Sequence, residues 1–419
     1  MSKQSRKNRA AELRERLNNE LQRLSLDECV KCTICETSCP VAAVTPLFSG
    51  PKFVGPQAER FRDGDSVDHS VDYCSSCGTC TVVCPQGVNV AEINSLARAV
   101  MKAEDGVPVR DRMITQTVLM GKAMTPVAPL ANAVLDNKLA RFAMEKVVGV
   151  HRSAPMPTAR GESLHAWLKK RPKPTKAPTR GALVYFHGCA GGYFEVDAAK
   201  KAIEVLEFLG YEVIVPKQGC CGLAEQSNGL FEQASASVRR LVDQLRVPGT
   251  ELTIISTAGS CTGMLKHEAH EILGIHDKEL LDVGTRIREI SEFLMELYEA
   301  GDLPTDFQPV NMRLPYHAPC QLKSQGMGTP ASDLLRLIPG LEVMDSNVTC
   351  CGIAGTYGLK KEKYDIAQAV GKPLFDMVKA NNDGLAACDT ETCRWQIESS
   401  SGVETVHPIV LVHKAYGLS

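Results

Sequence analysis

Tryptophan occurs twice in this chain and aromatic residues make up 5% of it, too few for a surface that stacks on successive bases. An excess of charge of either sign is also lacking. The 47 Lys and Arg stand against 49 Asp and Glu, a net charge of −2, so no global basic field draws in nucleic acid. No uninterrupted apolar run approaches the ~20 residues of a membrane-spanning helix. The first sixteen residues carry Lys3, Arg6, Lys7, Arg9, Arg14 and Arg16 with no apolar stretch behind them, which is not the pattern of a secretory signal. Missing too are a Gly-x-Gly-x-x-Gly dinucleotide fingerprint, a phosphate-binding P-loop and a Gly-x-Ser-x-Gly nucleophile elbow.

Cysteine is what the chain has: 17 in 419 residues. Without an export signal these thiols belong in a reducing cytoplasm, where they serve as metal ligands rather than bridges. Eight fall into two copies of one spacing, Cys29-x2-Cys32-x2-Cys35-x3-Cys39-Pro40 and Cys74-x2-Cys77-x2-Cys80-x3-Cys84-Pro85. This is the ligand pattern of a protein with two [4Fe-4S] clusters, in which three closely spaced thiolates wrap one cluster and the fourth reaches across to the other. The spacing therefore predicts one cluster on Cys29, Cys32, Cys35 and Cys84, and a second on Cys74, Cys77, Cys80 and Cys39. Zinc knuckles and disulfides do not need the third and fourth cysteines at this spacing.

Length and 44% hydrophobic content suit a globular chain of two to four domains with sizeable cores. Residues 1–26 read as a basic amphipathic lead-in, with Leu13, Leu17, Leu21 and Leu24 along one face. Residues 27–105 form a helical, bacterial-type two-[4Fe-4S] ferredoxin domain, and its Pro/Gly-rich insertion around Pro46 to Pro56 is long enough to offer a partner surface. Residues 106–180 are a helical segment and a basic, proline-rich linker, Lys169 to Arg180, which marks a boundary. Met113, Met120, Met124, Leu130, Leu139 and Phe142 lie at helical spacing there; core packing is the first expectation and a contact with a partner or a membrane surface the second.

The remainder is an internal duplication, residues 181–305 and 306–419. Each copy pairs short β-rich runs with helical stretches in a parallel βαβ pattern, giving an α/β and α+β multidomain chain overall. In copy one Cys189, Cys220, Cys221 and Cys261 follow strand ends, and in copy two Cys320, Cys350, Cys351, Cys388 and Cys393 do the same. Loops at the carboxyl ends of parallel strands converge on one crevice, so each set is a candidate metal site, with iron-sulfur favoured over zinc. Cys388 is displaced by two residues from the position a Cys-x2-Cys pair would give it. His187 and His317, equivalent residues ahead of Cys189 and Cys320, read as loop structure, and His267-Glu268-Ala269-His270 as a solvated helix face.

The paired cluster loops with two Cys-Cys-Gly modules resemble the iron-sulfur subunits that share the cysteine-rich CCG domain, among them the B subunit of heterodisulfide reductase, the glycolate oxidase iron-sulfur subunit and the lactate-utilisation proteins. Cys29 to Pro40, Gly50 to Arg60, Cys350-Cys-Gly-Ile-Ala-Gly-Thr-Tyr-Gly-Leu-Lys-Lys-Glu362 and Glu391 to Glu398 look more narrowly like the C-subunit family of anaerobic glycerol-3-phosphate dehydrogenases. That resemblance implies an electron-transfer subunit on the cytoplasmic face of the inner membrane, in peripheral contact with it. Its partners would be an FAD-containing dehydrogenase subunit, a further complex subunit and membrane quinone, with no nucleic acid. The alternatives are a subunit of a glycolate, lactate or succinate oxidoreductase, or a heterodisulfide or quinone reductase with its own catalytic site.

Overall fold

A computed structural model describes residues 3–21, 23–61, 68–172, 177–247 and 251–418. The heart of the linker, 173–176, lies outside the described residues, as do 62–67 behind the ferredoxin insertion. Helix Lys3–Glu20 lies along helix Val90–Asp105, which follows the second cysteine loop. Leu17 and Leu24 are fully buried in this contact and Leu13 and Leu21 pack at its margin, so the lead-in segment is a brace for the cluster unit. It also reaches the duplicated region, through an Arg9–Glu232 ion pair at 3.0 Å and the Arg16 guanidinium donating to the Ile272 carbonyl.

The two cysteine loops repeat each other in backbone as well as sequence. Lys31 and Thr33 take left-handed conformations (φ 59° and 68°), and their counterparts Ser76 and Gly78 do the same (φ 54° and 77°). Such turns aim successive amide N–H groups into a concavity that suits an anion. The insertion between the loops folds inward instead of outward: Val54, Gly55 and Pro56 are buried against helix Val90–Asp105, and Asn94 donates to the Pro51 carbonyl at 3.2 Å. Among the described residues it still offers Leu47 and Phe53 to a partner.

Each duplicated module is a four-stranded, wholly parallel sheet. The first contains β1 (Ala182–Phe186), β2 (Glu212–Ile214), β3 (Ile254–Ser256) and β4 (Ile287–Glu289) in the order β2-β1-β3-β4. The second contains β5 (Met312–His317), β6 (Leu341–Asp345), β7 (Leu385–Cys388) and β8 (Glu404–Val406) in the equivalent order β6-β5-β7-β8. Apolar residues cover both faces, as parallel sheets require. The modules are not beads on a string. Helix Pro408–Ala415 of the second packs on helix Val196–Phe208 of the first, and Ile290–Glu299 packs on Pro330–Arg336, so Ile203, Leu206, Leu294, Leu334 and Val412 belong to one core.

The segment between the cluster unit and the duplication departs from the core-packing expectation. Helices Val109–Ile114, Thr117–Met124, Ala128–Asp136 and Lys138–Val147 leave Leu119, Leu130, Leu139 and Val147 between 64% and 85% exposed. The stretch Thr117–Asp136 is continuous helix, 20 residues with a mean hydropathy of 1.3, and only 11% of its most apolar window is buried. By length and composition it can cross a membrane, which the count of uninterrupted apolar residues had missed because Gly121, Lys122, Thr125 and Asn132 dilute it. One face is held: Gly121 lies so close to Tyr193 that a Cβ there would meet the ring at 2.5 Å.

Candidate functional site

None of the seventeen cysteines, all of them among the described residues, forms a disulfide, and the fold gathers them into four groups. Burial raises the Cys35 thiol to about 11, assisted by Glu36 and by Cys29, Cys32 and Cys84 around it. Burial likewise raises Cys39 to about 12, but the thiols acting on it are Cys74 and Cys77; Cys80 is pushed up by burial and by Cys74, Cys77 and Cys39. The fourth cysteine of each loop thus sits with the first three of the other. Backbone amides point at the sulfurs: Ala42 N–H to Cys39 Sγ at 3.5 Å, Ser76 to Cys74 at 3.4 Å and Val88 to Cys84 at 3.4 Å. Cys32 is exposed, between exposed Val30 and Ile34, whereas Cys74, Cys77 and Cys80 are buried.

In the first module Cys221 and Cys261 lie 3.1 Å apart, and Cys220 receives the thiol hydrogens of Cys189 and Cys221 and the Gly222 N–H at 3.4 Å. Those donors pull the Cys220 thiol well down, while its partners are held up as donors. The second module repeats this. Cys351 and Cys393 are 3.0 Å apart, and Cys350, fed by Cys320, Cys351 and the Gly352 N–H at 3.3 Å, is the lowered thiol. Cys388, despite its displacement, reaches Cys393 from the end of β7. Each pair is followed by a glycine with φ 83° or 88°, and a Cβ there would strike the carbonyl of Ala234 or Ala367 at 2.8 or 2.0 Å. Thiols that share protons, backbone donors aimed at sulfur and exclusion of water form a donor set that fits a soft, thiolate-bound metal centre.

The groups adjoin. Cys77 of the cluster unit is raised to about 11 by burial and next by Cys350, and Cys320 feels Cys77 in turn. The two modules meet where Ser260, beside Cys261, lies 3.3 Å from Thr390, next but one to Cys388. Around the Cys74 group are cations that the pattern reading missed. Arg98, 6% exposed, donates to the carbonyls of Cys74 (2.7 Å) and Ser227 (3.1 Å) and to Ser76 Oγ (2.9 Å). Lys363 pairs with Asp72 at 3.0 Å, its ammonium lowered to about 7 by burial and by Lys360. The available signal was a lone arginine inside the otherwise apolar run Leu96 to Met101.

His187 and His317 are buried and neutral, lowered to about 4 and about 3 by burial, with Nδ1 atoms 2.5 Å from the Gly188 carbonyl and 3.0 Å from Ser346 Oγ. Both contacts hold loops in place. His267 is exposed, as on a solvated helix face, and its Nε2 also meets buried Glu92 at 3.0 Å, which ties the first module to the cluster unit. A further buried set, Glu289, Asp389 and His407, brings potential ligand atoms within 4.8 Å of one another. His407 Nδ1 accepts the Ile409 N–H at 3.1 Å, so its proton sits on Nε2, facing Glu289 at 3.6 Å, and the imidazole has no lone pair there for a metal.

Comparison with known proteins agrees with this geometry. The family described as a 4Fe-4S dicluster domain matches residues 25–88, and the cysteine-rich CCG domain matches 183–266 and 314–398. The C subunit of the anaerobic glycerol-3-phosphate dehydrogenase of Escherichia coli (strain K12) is 35% identical over 398 residues, covering 93% of this chain and 98% of that protein. The chain belongs to this C-subunit family. More distant members of the CCG group align along nearly the whole chain: the D subunit of the dihydromethanophenazine:CoB--CoM heterodisulfide reductase of Methanosarcina barkeri at 26% identity (95% of this chain, 96% of that one), and the glycolate oxidase iron-sulfur subunit of Escherichia coli at 23% (96% and 98%). As a member of the C-subunit family the chain is an iron-sulfur electron-transfer subunit of an oxidoreductase complex, with iron-sulfur clusters as its cofactors.

Proposed function

We propose that this chain is the iron-sulfur subunit of a membrane-associated anaerobic glycerol-3-phosphate dehydrogenase. An FAD-bearing partner oxidises glycerol 3-phosphate to dihydroxyacetone phosphate, and this chain, held with a further subunit at the cytoplasmic face of the inner membrane, takes the electrons toward quinone. The observation that carries the reading is the succession of thiol groups: Cys35 and Cys39 lie on one loop, Cys77 neighbours Cys350 and Cys320, and Cys320 and Cys261 line one cavity.

In this reading Cys29, Cys32, Cys35 and Cys84 hold one [4Fe-4S] cluster and Cys39, Cys74, Cys77 and Cys80 the other. Cys189, Cys220, Cys221 and Cys261 hold a centre in the first CCG domain, and Cys320, Cys350, Cys351, Cys393 and Cys388 one in the second. Such clusters supply one-electron steps at potentials set by hydrogen bonds, burial and charge. The protein contributes those settings: N–H groups at the sulfurs, Arg98 and Lys363 beside the Cys74 group, and an exposed rim at Cys32, where the flavoprotein docks. Exposed Leu119, Leu130 and Leu139 with Lys122, Lys138 and Lys146 supply the lipid-facing surface.

Anaerobic purification from the native host, identification of the flavoprotein that accompanies the chain, and iron, sulfide and zinc analysis test this together. A glycerol-3-phosphate dehydrogenase partner and substantially more than about eight irons per chain are expected. A different dehydrogenase partner, or zinc in the CCG domains, overturns the donor or the continuous path respectively.

A further inference from the structure

A groove of about 840 Å³ lies against the exposed helices Ala128–Asp136 and Lys138–Val147, and its other walls come from residues 152–160, Phe194 and Trp395. Its lining is mixed. Lys138, Arg141, Arg152 and Arg160 stand there against Asp136, Glu195 and Glu398, one positive charge in excess. The groups behind the walls keep that balance, because Glu145 answers Arg152 at 2.8 Å and Arg394 answers Glu195 at 3.1 Å. Leu135, Leu139, Phe142 and Met156 supply the apolar part, with Leu139 80% and Phe142 44% exposed. The unanswered charge is Arg141. It is 7% exposed, and its guanidinium donates only to main-chain carbonyls: Nε to Arg152 at 2.8 Å, Nη2 to His151 at 3.3 Å and to Ala154. Its Nη1 has no hydrogen-bond partner. Lys138 and Arg160, exposed beside it, form no ion pair among the described residues. Carbonyl dipoles orient a guanidinium but leave its charge uncompensated, and a buried charge without a counter-charge is costly.

We propose that this groove is a headgroup site for an anionic phospholipid: the phosphodiester answers Arg141, Lys138 and Arg160, and the acyl chains leave past Leu139 and Phe142 into the bilayer. The assignment rests on the lipid-facing reading of these helices given above, and adds to it one bound lipid of one charge class. The chemistry selects the ligand. Arginine forks suit phosphate oxygens, and basic pockets beside lipid-facing helices are where anionic headgroups are held. One positive charge in excess matches the single negative charge of a phosphodiester, whereas a phosphomonoester brings close to two. A zwitterionic headgroup carries its own cation and leaves the excess standing. Free phosphate leaves Leu139 and Phe142 uncovered, which acyl chains do not.

Calorimetric titration of the anaerobically purified, cluster-loaded full chain with dihexanoyl phosphatidylglycerol, kept below its micelle concentration, reads the site without a membrane. One lipid per chain should bind, with dihexanoyl phosphatidylcholine and inorganic phosphate each about tenfold weaker or more. Arg141→Met would also release the carbonyls of residues 151–154, so its exposed neighbours carry the test. Lys138→Gln with Arg160→Gln should weaken phosphatidylglycerol about tenfold or more, and Lys122→Gln with Lys169→Gln, exposed lysines outside the groove, should leave it unchanged. EPR spectra and melting midpoints equal to those of the wild type show that both double variants are folded. Absent binding, equal binding of the two lipids, phosphate as tight as phosphatidylglycerol, or equal losses in the two double variants overturns the site. Sedimentation of the wild type with phosphatidylglycerol vesicles separates this from the membrane reading: monomeric lipid bound without vesicles strikes the membrane contact and leaves the headgroup site standing, and vesicles bound without monomeric lipid does the reverse.

Discussion

If Cys39, Cys74, Cys77 and Cys80 hold a cluster as proposed, Arg98 helps to set its potential, and replacing Arg98 with leucine should make that centre harder to reduce. Its Nη2 lies 2.7 Å from the Cys74 carbonyl, which covalent geometry places within a few ångströms of the Cys74 sulfur. At an effective dielectric of about 20, a unit charge about 7 Å from the added electron is worth roughly 2.4 kcal/mol. One-electron potentials change by 59 mV for each 1.4 kcal/mol, so the expected fall is about 100 mV. The side chain is 6% exposed, which limits screening by salt. Arg98→Leu also strands the acceptors at Cys74, Ser76 and Ser227, so Arg98→Lys, which keeps the charge and loses the fork, is the control. An EPR-monitored anaerobic redox titration reads both. A shift under about 20 mV in the leucine variant, or equal shifts in the two, refutes the electrostatic argument, provided iron content is intact.

Ligand exchange between the cysteine loops gives a second expectation: Cys84→Ser should perturb the EPR signal of the centre at Cys35 and spare the other, and Cys39→Ser should do the reverse; perturbation by each within its own loop would contradict the crossed grouping. Leu130→Lys with Leu139→Lys should cut sedimentation with anionic vesicles roughly a hundredfold, from ~1.5 kcal/mol or more for each leucine kept out of the apolar layer, and unchanged binding would remove these helices from the membrane contact. Asp111→Ala should cost about 3–4 kcal/mol in denaturant unfolding, because it leaves Lys360, 4% exposed and 2.7 Å from Asp111, with only Asn228 for a partner; a loss below about 1 kcal/mol would show that water replaces the carboxylate. The His267–Glu92 pair raises the imidazole above its usual 6.5 and holds the carboxyl below 4.5, so its stabilisation is present between those values, fades as pH rises through the folded His267 value and fades again as pH falls through that of Glu92. Melting midpoints of wild type and His267→Gln should therefore differ most near pH 5.5 and converge above neutrality; a constant gap would make the contact one of packing.

The parts legible in the sequence were those whose chemistry dictates spacing. Two tight loops around cubanes must repeat Cys-x2-Cys-x2-Cys, and parallel strands buried on both faces must read as short apolar runs, so the cluster unit and the sheets were visible. Strands β4 and β8 went unread because three residues each, Ile287–Glu289 and Glu404–Val406, carry no periodicity of their own and form only where a parallel neighbour awaits them. Helix periodicity in residues 109–147 was apparent, but periodicity says that a helix has an apolar side and not what faces it. Leu119 and Leu139 meet solvent in the isolated chain, whereas Met120, one residue along from Leu119, lines the same cavity as Cys189 and Cys220. Arg98 was hidden for a different reason: one polar residue has meaning only when its partners, up to 129 residues away as with Ser227, are brought beside it.

The shared core under the two CCG domains has a further consequence. With Val412 of the last helix and Ile203 of the first domain in one packed body, the described part of the duplication offers no hinge about which the thiol groups could draw apart. Conduction through such a body cannot be throttled by domain motion. Control must act at its ends, through what delivers electrons at one and what accepts them at the other, and flux through the chain becomes a reading of supply and demand.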